Sequence, residues 1–544
     1  MKNKVYLLVI SFFLIMMQGC GDVTIDDGTA TIPSSSSDVN NNSDEDDSST
    51  TSSGTLKIIG KITYDRVHVN SNGVGLDYNN ITKEPAKQVV VKAIGTDGGT
   101  IATTTADDNG DYVLSNLPEN TQIKVRVYAQ LKKDGAGGWD VKVVDNTNGD
   151  SQYVIEGDFV STGNSDSKRD LHASSGWDGN SYSGTRAAAP FAILGSIYQA
   201  MEKVKSADSN ATFPLLVINW SKNNISSGNA TEAELRDGLI GTSHFDGTEL
   251  YILGDENGDT DEYDDHVMIH EWGHYFEANF SRADSIGGMH SNGDFLDIRV
   301  AFGEGWGNAW SAIATDNPIY FDTMGIRQAD GFYMNIESAE KENPGWYSEA
   351  SIQRILYDLY DNHDDGDDNL SLGFKPIYDV LVGPQKTTPA FTSIFTFITY
   401  LKEQRASDID KIDDILASED IDSIVDIYGK TIDSNQYSDM SGGAIDICTY
   451  NRYGVGNKLY NHRYIRFSIA QSDSYTLRMQ QNNGSSSDPD FSLYKASPFT
   501  RIGTSDASVY AVEEATYTLT AGDYLLDISD FNNLTKACFD VTIN

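Results

Sequence analysis

The sequence predicts a multidomain protein in which an α+β domain lies between two all-β sandwich domains. Three successive patterns along the 544 residues predict this architecture. Apolar and polar residues alternate over 55–175, apolar residues recur at helical spacing across much of 176–440, and the alternation returns over 450–544. A chain of this length ordinarily holds roughly three to four domains.

Residues 1–19 have the pattern of a bacterial signal peptide. Lys2 and Lys4 precede an apolar run that is short for a membrane-spanning helix but suits a signal-peptide core. The run ends at Gly19-Cys20, which resembles a lipobox and implies lipidation of Cys20. We therefore expect a cell-envelope lipoprotein, extracytoplasmic at the outer membrane or cell surface, whose only membrane contact is the N-terminal lipid. The alternative is a plain secretory signal.

Residues 20–54 follow as a polar tract of Ser, Asp, Thr and Asn. Such a segment buries too little apolar surface to fold, so we expect a flexible spacer. The net charge of −42 argues against nucleic acid as a partner, because phosphate binding needs clustered Lys and Arg. We expect a monomer.

The first β-domain is predicted over 55–175. Alternation from Ile123 to Leu131 indicates a half-buried strand. The turn at Asp107–Gly110 and the residues after it resemble carboxypeptidase-regulatory-like β-sandwich modules. This resemblance implies an accessory domain without catalytic residues.

The last β-domain is predicted over 450–544. Strand patterns such as 464–469 and 475–479 resemble the pre-peptidase C-terminal β-sandwich of secreted bacterial peptidases. Cys448 and Cys538 are the only cysteines besides Cys20, and we expect them to form a disulfide in an oxidising compartment. Two unpaired buried thiols are the alternative.

The central segment contains the motif His-Glu-x-x-His at His270, Glu271 and His274. Residues four apart share one face of a helix, so both imidazoles can bind one zinc ion. Glu271 lies beside them as the base that takes a proton from water activated by the metal. The alternative is a helix with two surface histidines, but the apolar flanks would bury this helix, and buried imidazoles need partners.

A zinc site of this kind needs a third protein ligand and an open position. Glu277 and Phe280 stand where the metzincin pattern has Gly and His, which excludes that arrangement. The motif at 270–274, followed by Gly-Glu-Gly-Trp around Glu304, resembles the gluzincin metallopeptidases, with fungalysin-type enzymes closest. The resemblance implies a zincin-type catalytic domain over 176–440 with Glu304 as third ligand. His290 is a rival for the role of third ligand. The gap before Glu304 is long for the family and indicates an inserted loop.

Two further positions follow from this resemblance. Asn308 stands where the family has an Asp that supports a zinc-bound His, and its amide oxygen can still accept that hydrogen bond. Tyr347 aligns with a family His that stabilises the oxyanion, and a phenol can donate the same hydrogen bond. A purely structural tyrosine is the alternative, and Tyr333 and His363 are rivals for the role.

Acidic residues alternate around Gly258, just before the zinc motif, in a pattern that suits Ca²⁺. The candidate calcium ligands are Asp255, Asn257, Asp259 and Asp261. A second acidic cluster spans 361–368, and the alternative for both is a solvated loop. His266 lies one turn before His270, and this spacing alone suggests a supporting role.

These residues predict zinc-dependent hydrolysis of peptide bonds in extracytoplasmic proteins or peptides. Glu271 would pass the proton of water to the leaving amine, and Leu250–Leu253 would be an edge strand that pairs with the substrate. One alternative is a non-catalytic binding or adhesion lipoprotein on a zincin scaffold, and another is hydrolysis of a non-peptide amide. The complete set of ligands and base favours a peptidase over the scaffold, which has no reason to retain Glu271.

Overall fold

The computed structural model describes residues 55–70, 74–338, 342–362, 370–432, 434–483, 487–508, 511–533 and 536–544. The predicted signal peptide, Cys20 and the spacer lie outside the described residues. Within the described ranges, no helix has both the length and the apolar character needed to cross a bilayer.

The first part of the chain is built from β-strands. They are β1 (Leu56–Val69), β2 (Leu76–Pro85), β3 (Val89–Gly95), β4 (Thr100–Thr105), β5 (Asp111–Leu117), β6 (Gln122–Lys133), β7 (Trp139–Asp145), β8 (Ser151–Gln152), β9 (Val154–Glu156), β10 (Val160–Ser161), β11 (Ser167–Lys168) and β12 (Leu171–Ala173). In β6 the predicted alternation from Ile123 to Leu131 is confirmed, because every second residue is buried.

The central part mixes helices with short strands. They are α1 (Ala189–Ala207), β13 (Leu216–Trp220), α2 (Glu232–Asp237), β14 (His244–Phe245), β15 (Leu250–Ile252), α3 (Asp265–Phe280), α4 (Ile298–Thr315), β16 (Ile319–Met324), β17 (Asp330–Asn335), α5 (Glu349–Asp358), α6 (Phe374–Val380), α7 (Ile394–Gln404) and α8 (Ile409–Ser418). Pro190 lies in the first turn of α1, where its fixed φ suits a helix start.

One ten-stranded sheet joins these two parts. Its main path runs β14-β15-β13-β7-β6-β3-β4, and β13 pairs in parallel with β7. Arg66 of β1 also donates to Asp265 Oδ2 at the start of α3, at 2.6 Å. The strands of 55–175 thus lie in two sheets, one of which is extended by β13, β15 and β14, and they share a hydrophobic core with the central part across residue 175.

The edge of this sheet differs from the prediction. Leu250–Leu253 was expected at the edge, but β15 pairs with β13 on one side and with β14 on the other. The edge strand is β14, His244–Phe245. Two residues are too few to produce an alternating pattern, which is why the sequence does not reveal this strand.

The last part is the predicted all-β sandwich, built from two sheets. Its strands are β18 (Tyr437–Asp439), β19 (Ala444–Tyr450), β20 (Arg463–Ile469), β21 (Asp473–Asn483), β22 (Pro489–Ala496), β23 (Phe499–Ser505), β24 (Val512–Leu519), β25 (Gly522–Asp530) and β26 (Lys536–Ile543). The sheets β18-β20-β25-β22-β23 and β19-β26-β21-β24 enclose a core of their own. Cys448 and Cys538 face each other on β19 and β26 and form a disulfide.

Buried charges connect this sandwich to the N-terminus of α4. Asp297 precedes the helix and accepts from the backbone N–H of Arg299. The Arg299 guanidinium bonds to Asp297 at 2.9 Å and to Asp527 of β25 at 2.8 Å. Tyr464 of β20 donates to Asp297 Oδ2 at 2.6 Å. The C-terminal sandwich is thus packed on the helix that carries Glu304.

Candidate metal centre

Helix α3 carries the His-Glu-x-x-His motif through the core. Its apolar residues, including Ile269, Trp272 and Phe276, are fully buried. A helix that is apolar on most sides lies inside a protein rather than on its surface. His270 and Glu271 are therefore buried as well, with 7% and 9% of their surface exposed.

Three donor atoms converge beside α3. The Nε2 atoms of His270 and His274 are 3.3 Å apart, and Glu304 Oε2 of α4 lies 3.3 Å from the first and 3.5 Å from the second. Zinc bonds of about 2.0–2.2 Å at tetrahedral angles separate neighbouring donors by about 3.4 Å. The three side chains fit a zinc ion by both donor chemistry and spacing.

Glycines let α3 and α4 approach closely enough to share a ligand set. A Cβ on Gly273 would lie 3.4 Å from Gly307 Cα, and a Cβ on Gly307 would lie 2.8–2.9 Å from the His270 ring. Trp306 Nε1 donates to the Gly273 carbonyl at 3.1 Å, across the same crossing. Gly273 and Gly307 therefore have a steric purpose at this crossing.

Each histidine has a polar side chain near its other ring nitrogen. His270 Nδ1 lies 2.9 Å from Asn308 Oδ1, and because an amide oxygen only accepts, the ring nitrogen donates. This leaves His270 Nε2 with a lone pair for a metal. His274 Nδ1 lies 3.7 Å from the buried carboxylate of Glu277, one turn along α3. Asn308 thus occupies its predicted supporting position.

Glu271 faces the cluster from the side of the edge strand. Its Oε2 accepts a hydrogen bond from the backbone N–H of Phe245 at 3.0 Å. Its Oε1 lies 3.9 Å from His270 Nε2. The carboxylate is therefore oriented by β14, and one of its oxygens remains directed toward the donor atoms.

His290 reaches the cluster from the loop between α3 and α4. Its Nε2 lies 3.3 Å from Glu304 Oε2, and its Nδ1 lies 2.6 Å from Glu349 Oε2 at the start of α5. The long gap before Glu304 is thus the segment that supplies His290. Both rivals for the third-ligand role lie at the site, but only Glu304 has its donor atom within 4.8 Å of both His270 and His274.

The charges of this cluster are strongly coupled. Burial lowers the pKa of His274, but the carboxylates of Glu304, Glu277 and Glu271 together raise it well above the ordinary value. Burial likewise lowers the pKa of His290, while Glu304 and Glu349 raise it to about 9. Burial alone would raise the pKa of Glu304, but His290 and His274 hold it well below the ordinary range. Glu304 thus attracts positive charge, whether protons or a metal ion.

Tyr347 does not reach this cluster. Its hydroxyl donates to the Pro344 carbonyl at 3.2 Å, and its ring stacks on Phe295 at 4.7 Å. The predicted oxyanion donor is therefore engaged elsewhere, and the residue two positions later, Glu349, is the one that points to the site. Of the rivals, Tyr333 is 56% exposed on β17, and His363 lies outside the described residues.

His266 also has no direct role at the cluster. Its Nε2 bonds to the Asn317 carbonyl at 3.0 Å, and burial lowers its pKa. Its ring packs near Tyr320 of β16, at 5.6 Å between centroids.

Three residues near the cluster were not predicted from the sequence. Glu277 could have been found, because a carboxylate three residues after His274 shares its helix face. Glu349 and Tyr320 gave no such signal. The Tyr320 ring lies edge-on to His270 at 6.5 Å, and burial, with Asp322 and Glu271 nearby, raises its pKa well above the ordinary value.

The predicted calcium residues divide into two groups. Asp259 and Asp261 are buried and lie beside Asp322 of β16. Asp255 is half-buried, and its Oδ1 accepts a hydrogen bond from the backbone N–H of the exposed Asn257 at 3.1 Å, within the same loop. The second predicted cluster, 361–368, lies mostly outside the described residues.

No family model matches this chain, and no curated protein matches it. Among solved structures, the pre-peptidase C-terminal domain of a collagenase from Bacillus anthracis is 12% identical, covers 20% of this chain and 96% of its own, and has a TM-score of 0.17. CorA, a surface-associated copper-binding protein of Methylomicrobium album BG8, is 9% identical with the same coverages and a TM-score of 0.17. The g-type lysozyme inhibitor PliG of Aeromonas hydrophila is 11% identical over 20% of this chain and 96% of its own, with a TM-score of 0.14. Likeness this low carries no conclusion about activity or ligands.

Proposed function

We propose that this chain is a zinc-dependent peptidase. The observation that carries the proposal is the spacing of three donor atoms, on His270, His274 and Glu304, at 3.3–3.5 Å from one another. That spacing suits a tetrahedral ion with a fourth position open to substrate. A histidine pair retained only for packing has no reason to place both Nε2 atoms against one carboxylate oxygen.

Zinc bound there would act as a Lewis acid, lowering the pKa of water and polarising a carbonyl. Glu271 is the general base in this proposal. The Phe245 N–H fixes one oxygen of its carboxylate, and the other can take the proton of the attacking water and give it to the leaving amine. Because Glu271 is buried, bulk water competes little for that proton.

His290 replaces Tyr347 in this proposal as the donor to the oxyanion. Glu349 holds its Nδ1, so a protonated ring presents Nε2–H on the side of Glu304, next to the metal position. A preorganised charged donor of this kind stabilises negative charge that develops on an attacked carbonyl.

The edge strand β14 suggests how a peptide would be aligned. Among the strands that the structure describes, β14 pairs with β15 alone, and its Phe245 is the residue that contacts Glu271. An extended peptide added to a free sheet edge is held by backbone hydrogen bonds. A substrate bound along β14 would therefore pass beside the base.

We also propose that the chain is exported and tethered through Cys20. The disulfide between Cys448 and Cys538 supports an oxidising, extracytoplasmic compartment. Metabolic labelling with a fatty acid, compared between the native chain and Cys20→Ala, tests the tether.

The peptidase proposal is tested on the chain from residue 54 onward, loaded with one zinc. Native protein, Glu271→Gln and a matched control, Glu202→Gln on the exposed side of α1, are incubated with an unfolded protein mixture. Cuts mapped by mass spectrometry should appear with the native chain and the control only. Removal of a general base ordinarily costs about 10²–10⁴ in rate, so turnover of Glu271→Gln within a few-fold of native would refute the mechanism.

The two candidate oxyanion donors are separated by a second pair of variants. His290→Gln should lower kcat by about 10²-fold or more without changing the zinc content. Tyr347→Phe removes a hydroxyl whose hydrogen bond goes to the Pro344 carbonyl, away from the cluster, so it should retain kcat. If no variant and no native protein cuts, with one zinc bound per chain, the non-catalytic binding protein is the better account.

A further inference from the structure

A second group of buried carboxylates lies between the loop before α3 and the strand β16. Asp259, Asp261 and Asp322 each offer an oxygen, and these oxygens all lie within 4.8 Å of one another. Asp264 adds a fourth carboxylate beside them, with only 1% of its surface exposed. None of these residues belongs to the zinc cluster.

The charge of this group is not balanced by protein. The Oδ1 atoms of Asp259, Asp261, Asp264 and Asp322 are all buried and accept no hydrogen bond from any described residue. Their Oδ2 atoms are partly used: Asp261 accepts from Ser243, and Asp264 accepts from the N–H and hydroxyl of Thr323 at 2.8 Å each. Among the residues that the structure describes, no Lys or Arg forms an ion pair with any of the four.

Neighbouring cations are engaged elsewhere. Arg186 pairs with Glu262, and Arg66 pairs with Asp265 at 2.6 Å. Burial, reinforced by the other carboxylates, raises the pKa of Asp259 to about 7 and that of Asp261 well above its ordinary value. Burying several unpaired carboxylates is unfavourable unless protons or a cation neutralise them.

We propose that Asp259, Asp261 and Asp322, with Asp264 beside them, bind a calcium ion. A set of oxygen donors without histidine or cysteine suits Ca²⁺ rather than zinc. Calcium bonds of about 2.3–2.6 Å allow donor oxygens up to about 5 Å apart around one ion, which agrees with the observed grouping. The ligand set differs from the sequence-predicted one, because Asp322 replaces Asp255 and Asn257.

Calcium at this position joins two elements that border the zinc cluster. Asp259 and Asp261 belong to the loop that leads into α3, and Asp322 belongs to β16. Two residues before Asp322 on the same strand, Tyr320 lies edge-on to His270. The ion would hold β16 against the start of α3 and so stabilise this wall of the site.

The test uses the full chain in detergent, stripped of metal and reloaded with one equivalent of zinc. Addition of Ca²⁺ at about 100 times its dissociation constant should raise Tm by about 3 °C. Isothermal titration calorimetry should give one calcium per chain, and the His274→Ala variant should bind it equally well. If millimolar Ca²⁺ gives no heat of binding and no shift in Tm, the proposal is overturned. The carboxylates would then be neutralised by shared protons rather than by a cation.

Asparagine variants identify the ligands. Asp261→Asn and Asp322→Asn should abolish the calcium-dependent shift, while each raises Tm of the calcium-free chain by relieving repulsion between carboxylates. Asp255→Asn and Asp330→Asn, at the exposed start of β17, are the matched controls and should keep the shift. Loss of the shift in Asp255→Asn together with its retention in Asp322→Asn would overturn the assignment in favour of the surface loop.

Discussion

The contact between Gly307 and His270 gives a sharp test of the candidate zinc site. In Gly307→Ala, the new Cβ would lie 2.8 Å from His270 Cε1 and 2.9 Å from both ring nitrogens. In Gly303→Ala, one turn earlier on α4, the new Cβ would lie 3.5 Å from Ser285 Cβ and 3.6 Å from Glu277 Oε2, which is ordinary contact. The two variants make the same chemical change on the same helix, so they differ only in what the methyl group meets.

The expected magnitude follows from these distances. Carbon atoms pack at about 3.5–4.0 Å, so the His270 ring must move by about 0.6–1 Å. Zinc–ligand distances tolerate only about 0.2 Å. Overpacking of this kind costs about 1–3 kcal/mol, which weakens zinc binding by about 5- to 150-fold. Gly303→Ala avoids that cost and gains up to about 1 kcal/mol of helix propensity.

The assay is competition for zinc with a chromogenic chelator, together with urea unfolding of the zinc-free proteins. We expect Gly303→Ala to bind zinc like the native chain and to unfold at higher urea. We expect Gly307→Ala to lose affinity while remaining folded, since the helix-propensity gain offsets part of the steric cost. Zinc affinities within twofold of each other in the two variants would refute the placement of His270 against α4.

Three further predictions test the surroundings of the site and the C-terminal sandwich. Asn308→Leu removes the acceptor for His270 Nδ1–H and should weaken zinc binding by about 10- to 100-fold in the same competition assay. Asn308→Asp should bind zinc at least as tightly as the native chain. Equal zinc affinities of Asn308→Leu and the native chain would contradict this prediction. Replacing both Cys448 and Cys538 by Ser should destabilise the sandwich to urea by about 4–5 kcal/mol, because the disulfide closes a loop of 90 residues. Burial and neighbouring acids raise the pKa of Asp490 from 3.8 to about 7, so the folded state holds a proton that the unfolded state releases. The free energy of unfolding should therefore fall as pH rises from about 4 to 7. Calorimetry in calcium-free buffer should show that this fall is smaller in Asp490→Asn than in the native chain. A fall of the same size in both proteins would contradict the prediction.

Local spacing predicted the features of the site that depend on one helix. His270, Glu271 and His274 are adjacent on α3 because of helical periodicity alone, and their side chains meet as that periodicity requires. Glu304 was predicted from the family resemblance rather than from local spacing, because its position beside α3 depends on how α3 and α4 cross. The crossing itself depends on Gly307, whose importance appears only when the His270 ring is seen against it.

The features that were missed depend on contacts between distant residues. His290 and Glu349 are 59 residues apart and meet only because the inserted loop folds back over the start of α5. Asp322 lies beside Asp259 and Asp261 although more than sixty residues separate them, so an acidic pattern in one loop could group Asp259 with Asp261 but could not reveal Asp322. Likewise, the edge strand β14 is too short for periodicity to detect.

The β-domains are better understood as supports of the site than as independent modules. The strands of 55–175 continue into the sheet whose edge orients Glu271, and Arg66 of β1 is bonded to the start of α3. From the other side, Asp527 and Tyr464 of the C-terminal sandwich engage the buried Asp297–Arg299 pair at the start of α4. A charge pair that is buried and shared between domains loses its partners when the domains separate, which is strongly unfavourable. Both helices that carry the candidate zinc ligands are therefore held at their N-termini by the β-domains, so the distances between His270, His274 and Glu304 depend on the whole chain rather than on the central domain alone.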